Sequence, residues 1–221
     1  SAGFGSTTNG FNVNLAAGHT GTLTLDAAAT SGNFSLGTIA IASGAGAFTL
    51  GNGSGTANVV IRGTNTFTNN DNDTATINAD VFFASGGGTA RTVTFAGTGN
   101  WDVYDGFALS GSGSIKLAKL GAGTLTLNAA GSYSGGTDIG TTTLGSSAVV
   151  RAAATQALGS GSVAILGNNG NNRLELFSAT GISLNNGITV SGRATAGQAA
   201  ILNVSGNNTL SGLLTLTTGG N

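Results

Sequence analysis

The chain is written in short runs where apolar residues alternate with Thr, Ser or Asn. The first half carries Phe11-Asn-Val-Asn-Leu15, Thr22-Leu-Thr-Leu25, Phe34-Ser-Leu36 and Arg91-Thr-Val-Thr-Phe95. The second half carries Ser114-Ile-Lys-Leu117, Thr124-Leu-Thr-Leu127, Ser162-Val-Ala-Ile165, Arg173-Leu-Glu-Leu176, Gly187-Ile-Thr-Val190 and Leu214-Thr-Leu216. A period of two places one face of each run in a core and the other in water, which predicts β-strands. Gly-Ser-Gly, Asn-Asn-Gly and Gly-Gly-Thr between the runs are turn chemistry. The one stretch compatible with a helix is Ala148 to Leu158, closed by Gly159.

The runs recur about every 10–12 residues, a spacing that a sandwich or barrel would also produce. Short strands, turns without proline and a uniform composition favour a solenoid, one unit stacked many times. We therefore expect an all-β chain folded as a parallel β-solenoid, with residues 1–221 forming a single segment. With two or three strands per coil, each coil takes about 20–25 residues and the chain holds roughly nine or ten. At about 4.8 Å per coil this is a rod about 45 Å long.

Composition sharpens the expectation. Charged residues make up only 7% of the 221, glycine accounts for 40, and Pro, Cys and Met are absent. A hydrophobic fraction of 39% with a net charge of -1 is not that of a disordered chain. No clustered Lys or Arg is present to displace counterions from phosphates, so nucleic acid is not an expected partner. No apolar run reaches about 18 residues, so no membrane-spanning helix is expected. The lack of Cys removes disulfides, thiolate zinc and thiol catalysis together. Because Ser1 is not a translation start, we expect a processed product or part of something longer.

A more specific pattern runs from Lys119 to Val163. It reads Lys119-Leu-Gly121-Ala-Gly123-Thr124-Leu125-Thr-Leu127, then Tyr133-Ser-Gly135-Gly136-Thr137, then Thr143-Leu144 and Ala157-Leu-Gly159. This resembles the autotransporter-associated β-strand repeat of bacterial surface proteins, with the run at Asp138 to Gly140 compressed. The resemblance implies a right-handed parallel β-helix, exported and displayed outside the cell. It implies no particular activity, because passengers of this kind include adhesins, enzymes and inert stalks.

Candidate chemistry is sparse. His19 is the only histidine and would have to serve any Ser-His-Asp triad, yet no Gly-x-Ser-x-Gly elbow accompanies it. Asp71, Asp73 and Asp80 form the densest acidic patch, a weak calcium candidate that lacks the glycine and closing glutamate of a calcium loop. Trp101 and Tyr104 are the candidate ligand-binding pair, because aromatic faces bind sugars. Asp102 and Asp105 beside them are the pair a glycosidase would need. The Asn-Gly pairs at Asn9, Asn52, Asn169 and Asn186 read as ordinary turns, and Gly86 to Gly88 lacks the Lys-Ser/Thr of a phosphate loop.

The expected function is a non-catalytic structural element, a stalk or self-associating fibre segment on the outer surface of a bacterium. It needs no cofactor. The alternative is an adhesin module for a glycan or host surface, and a β-helix polysaccharide-active enzyme ranks behind both. Both ends read like ordinary coils without a polar cap, so the expected partner is the chain itself, end to end, or flanking coils of the same parent chain. Residues 1–105 carry two bases and six acids, net -4, whereas residues 106–221 carry five bases and two acids, net +3. That polarity favours head-to-tail contact.

Overall fold

A computed structural model describes residues 11–19, 21–25, 33–51, 57–61, 63, 65–78, 81–85, 90–104, 114–167, 170–192 and 198–217. Among these residues there is no helix; every regular element is a strand. An eight-stranded sheet stacks Leu23–Leu25, Phe48–Leu50, Ala75–Ile77, Trp101–Val103, Thr124–Leu127, Val149–Ala152, Arg173–Phe177 and Ile201–Ser205. An eleven-stranded sheet stacks Phe11–Leu15, Asn33–Ile41, Asn65–Asn69, Arg91–Ala96, Ile115–Lys119, Thr137–Ile139, Val163–Ile165, Ile188–Ser191 and Leu214–Thr217. Ala57–Ile61 and Val81–Ser85 branch from the front of Asn33–Ile41 to complete that sheet. Ser183–Leu184 and Thr209–Leu210 pair on a third side.

Every pairing is parallel and joins a strand to its equivalent one coil away, which is a β-solenoid. Leu15 stands beside Ile41, Phe67 beside Phe95 and Leu117 beside Thr137, so coils run from 20 to 28 residues. The common offset is near 26, longer than the sequence spacing implied. The chain accordingly forms about eight coils, where nine or ten were expected. The excess lies on the third side, where the backbone runs with little regular pairing and no alternation to count. The shortest offset, 20 residues, runs from Leu117 to Thr137; the compressed run at Asp138 to Gly140 begins a coil of ordinary length, with Ile139 beside Ile165.

Parity decides facing. In Thr124–Leu127 the two leucines are buried and the two threonines half-buried on the outside. Inward columns are continuous: Phe48, Ala75, Trp101, Leu125, Val150 and Leu174 on one sheet face Ile39, Phe67, Phe95, Lys119, Ile139 and Ile165 on the other. Large residues sit over small ones, as where Trp101 is in register with Ala75. Trp101 packs edge-on to Phe95 with centroids 5.4 Å apart and to Phe48 at 6.4 Å, and Phe67 meets Phe95 at 5.5 Å. Such edge contacts are worth about 0.5–1.5 kcal/mol beyond the area they bury.

The helix-compatible stretch does not form a helix. Val149–Ala152 is a strand, because Val150 and Ala152 continue the inward columns above Leu125 and Leu127. Ala154 to Gly159 is a turn, with Gln156 in the left-handed region at φ 59. Tertiary pairing outweighs local propensity here.

Corners explain the glycines. Gly121 has φ +75, and a side chain there would strike the Gly97 carbonyl of the coil below. A side chain at Gly123 would strike the Gly99 carbonyl. Backbones of neighbouring coils touch at this corner, so only hydrogen fits.

Candidate functional site

The repeat motif is a packing device. Tyr133 is fully buried on the third side, with its hydroxyl 2.9 Å from Thr137 Oγ1. Burial pushes the phenol up, well above its ordinary value. Gly136, at φ +87, lets the chain turn against Ser162 of the coil above, and Gly135 lies against the Ile115 carbonyl of the coil below. Thr124 donates its N–H to Asn100 Oδ1 at 2.8 Å, one coil away.

Lys119 belongs to this motif and is the least expected residue of the core. In Ile115–Lys119 the inward positions are Ile115, Leu117 and Lys119, and the lysine has no exposed surface. Its Nζ donates to the carbonyls of Leu120 at 2.6 Å and Gly121 at 3.0 Å. Burial lowers its pKa from 10.5 to about 8. The sequence carried the signal, since 115, 117 and 119 share parity, but lysines are rarely fully buried. Its ammonium is directed at turn carbonyls and away from solvent, so it holds the corner closed.

The acidic patch is taken up by the frame. Asp71 is buried at a corner, where its carboxylate accepts the N–H of Ala45 at 2.8 Å and of Asp73 at 2.9 Å. The Asp73 amide chiefly, with those of the Gly44 to Gly46 turn, holds the carboxyl below its usual range. Asp73 is exposed, and Asp80 lies outside the described residues. Among the described residues no three His, Cys, Asp or Glu side chains gather where a metal could bind. His19 sits on an exposed turn with Nδ1 3.1 Å from the Ala45 carbonyl oxygen.

Trp101 and Tyr104 part company. Trp101 has no exposed surface, so its ring offers no face to a ligand. Tyr104 ends the strand on the outside and is 46% exposed. Asp102 lies between them on the outer face; Asp105 is outside the described residues. Asn186 differs from the turn expected of it. It is buried, and its amide bridges coils by donating to the carbonyls of Gly159 at 3.0 Å and Gly161 at 2.7 Å. Asn9, Asn52, Asn169 and Gly86 to Gly88 lie outside the described residues.

Sequence reasoning missed one cluster. Glu175 points outward yet is almost fully covered by Arg173, 2.7 Å from Oε1, and Arg151, 2.7 Å from Oε2. Desolvation would raise its pKa, but the two guanidiniums outweigh it and hold the carboxyl below its ordinary value. Arg151 also lies over the Phe177 ring, 5.0 Å from its centroid. Arg151 and Glu175 are neighbours only across coils, 24 residues apart, so coil length had to be known first.

A corner pocket between Leu166, Asn172, Val190 and Gly192 has room for little more than one water. No helix among the described residues is long and apolar enough to cross a membrane. No protein-family model, curated protein or solved structure matches this chain. What the fold defines is a class, the parallel β-solenoids.

Proposed function

We propose that this chain is a non-catalytic structural element, a rigid solenoid segment of an exported bacterial surface protein. The observation that carries this reading is the fate of the buried ionisable groups. Asp71 is used by backbone amides, Glu175 by two arginines and Lys119 by two carbonyls. Each stabilises the stack and none faces a cleft, whereas an active site holds perturbed groups where a substrate can reach them. The repeat motif around Tyr133 supports placement outside the cell, on the resemblance given above.

Its partner is another coil of the same kind, from a second copy or from a longer polypeptide. The strand Leu214–Thr217, paired on one side only among the described residues and with Leu216 76% exposed, supports this contact. The second reading, an adhesin for a glycan or host surface, rests on exposed Tyr104 alone.

Antibodies raised to the segment should label intact cells of the source bacterium as strongly as permeabilised ones. A panel of polysaccharides and peptides should show no turnover above a heat-denatured control. Labelling only after permeabilisation would overturn the placement, and turnover lost in Asp102→Asn would overturn the structural role.

A further inference from the structure

We propose that the outer face of the eight-stranded sheet is a homodimer interface, in which two copies pack with their rods antiparallel about a twofold axis at Thr126. A central column of outward side chains runs the length of that sheet. Register places Thr49, Thr76, Asp102, Thr126, Arg151, Glu175 and Leu202 directly above one another. Most of the lower column is threonine, so the face is flat and low.

Two features break it. Asp102 has no hydrogen-bond or ion-pair partner among the described residues. Arg151, two coils higher, and Arg173, three coils higher, share a single carboxylate, Glu175, which leaves one positive charge in surplus. The unpaired negative charge lies one coil below Thr126, and Arg151, the nearer of the two arginines, lies one coil above it. They are too far apart along the axis to meet within one copy, at about 9–10 Å for two coil spacings.

An identical face turned end for end about Thr126 brings Asp102 of one copy opposite Arg151 of the other, twice per dimer. Rods placed in the same direction would set Asp102 on Asp102 and Arg151 on Arg151. Charge complementarity therefore selects both the occupant, a second copy, and its direction. The same twofold places exposed Tyr104 over Ala153, a small half-buried residue on its own outward column. It places Phe177, whose ring already backs the Arg151 guanidinium, over Asn78. An isologous contact of this kind closes on itself at two copies.

This contact lies on the side of the rod and is independent of pairing through the open end. The test is accordingly made in a Leu216→Asp background, where a charge on the open strand suppresses end-to-end association. Sedimentation in low salt should show a dimer whose dissociation constant rises about tenfold or more at high salt. Asp102→Lys should give a monomer, and adding Arg151→Asp to it should restore the dimer. Because Arg151→Asp also disturbs Glu175, a second probe uses the absence of native cysteine. Thr126→Cys should form a disulfide-linked dimer on mild oxidation, while Thr68→Cys, outward on the other sheet, should not. A monomer in the Leu216→Asp background, a dimer indifferent to Asp102→Lys, or equal cross-linking at both cysteines would each overturn the proposal.

Discussion

Ile188 and Leu214 occupy the same place in successive coils, in register and facing the same interior. Ile188 is 3% exposed and Leu214 51%. The residues are alike in size and apolarity, and their strands have the same alternation. What differs is the coil above, which Ile188 has and Leu214 lacks among the described residues. A coil of this chain does not bury its own inward face; its neighbour does. Stability in such a stack resides in the interfaces between coils, and the interior coils and the last one should respond differently to the same change.

The largest contrast comes from charge. Leu125→Asp puts a carboxylate in a closed interior column and should cost about 3 kcal/mol or more. Leu214→Asp makes the same change in the last coil and should cost less than about 1 kcal/mol, because water reaches the site. Chemical denaturation of both variants measures the difference, and equal losses would remove the distinction between the two regions.

Glycine gives the next contrast. At Gly123 an added methyl group meets the Gly99 carbonyl of the coil below, and no flexible side chain is there to give way. Gly123→Ala should lower the stability by about 2–4 kcal/mol by forcing two coils apart. Gly187, beneath the last coil, has only the Leu213 carbonyl at 3.9 Å, and Gly187→Ala should be near neutral. Thermal melts of the pair would decide it.

Lys119 sharpens the comparison through pH. Its pKa is about 8 in the folded chain against 10.5 unfolded, so between those values the unfolded chain binds more protons. Stability should therefore rise with pH above 8, the reverse of a lysine that gains an acidic partner. The gain should reach about 2 kcal/mol by about pH 9.5, before ionisation of the Tyr133 phenol in the unfolded chain begins to oppose it. Lys119→Met should flatten the profile. The smallest effect belongs to the outer face: Thr189→Asp should stay within about 0.5 kcal/mol.

Much of this was legible in the sequence. The alternation at Thr124 to Leu127 carried both the strand and its facing, and Tyr133-Ser-Gly-Gly-Thr137 marked a turn on the third side. The coil number was not, because the third side has no period. Parity pointed Lys119 and Trp101 inward, with Leu117 and Val103 as their guides. Residue type argues the other way, because lysines are rarely fully buried and an aromatic ring can serve a ligand, and the packing followed parity. The Arg151, Glu175 and Arg173 cluster was invisible for a different reason: its members meet only once the coil offset is known.

The central claim is that each coil is held by its neighbours, and hydrogen exchange of the chain at high dilution tests it most directly. Amides of Thr124–Leu127 and Val149–Ala152 should exchange only through global unfolding, while those of Leu214–Thr217 exchange orders of magnitude faster. Equal protection of Leu214–Thr217 and Thr124–Leu127 in the dilute chain would contradict the account.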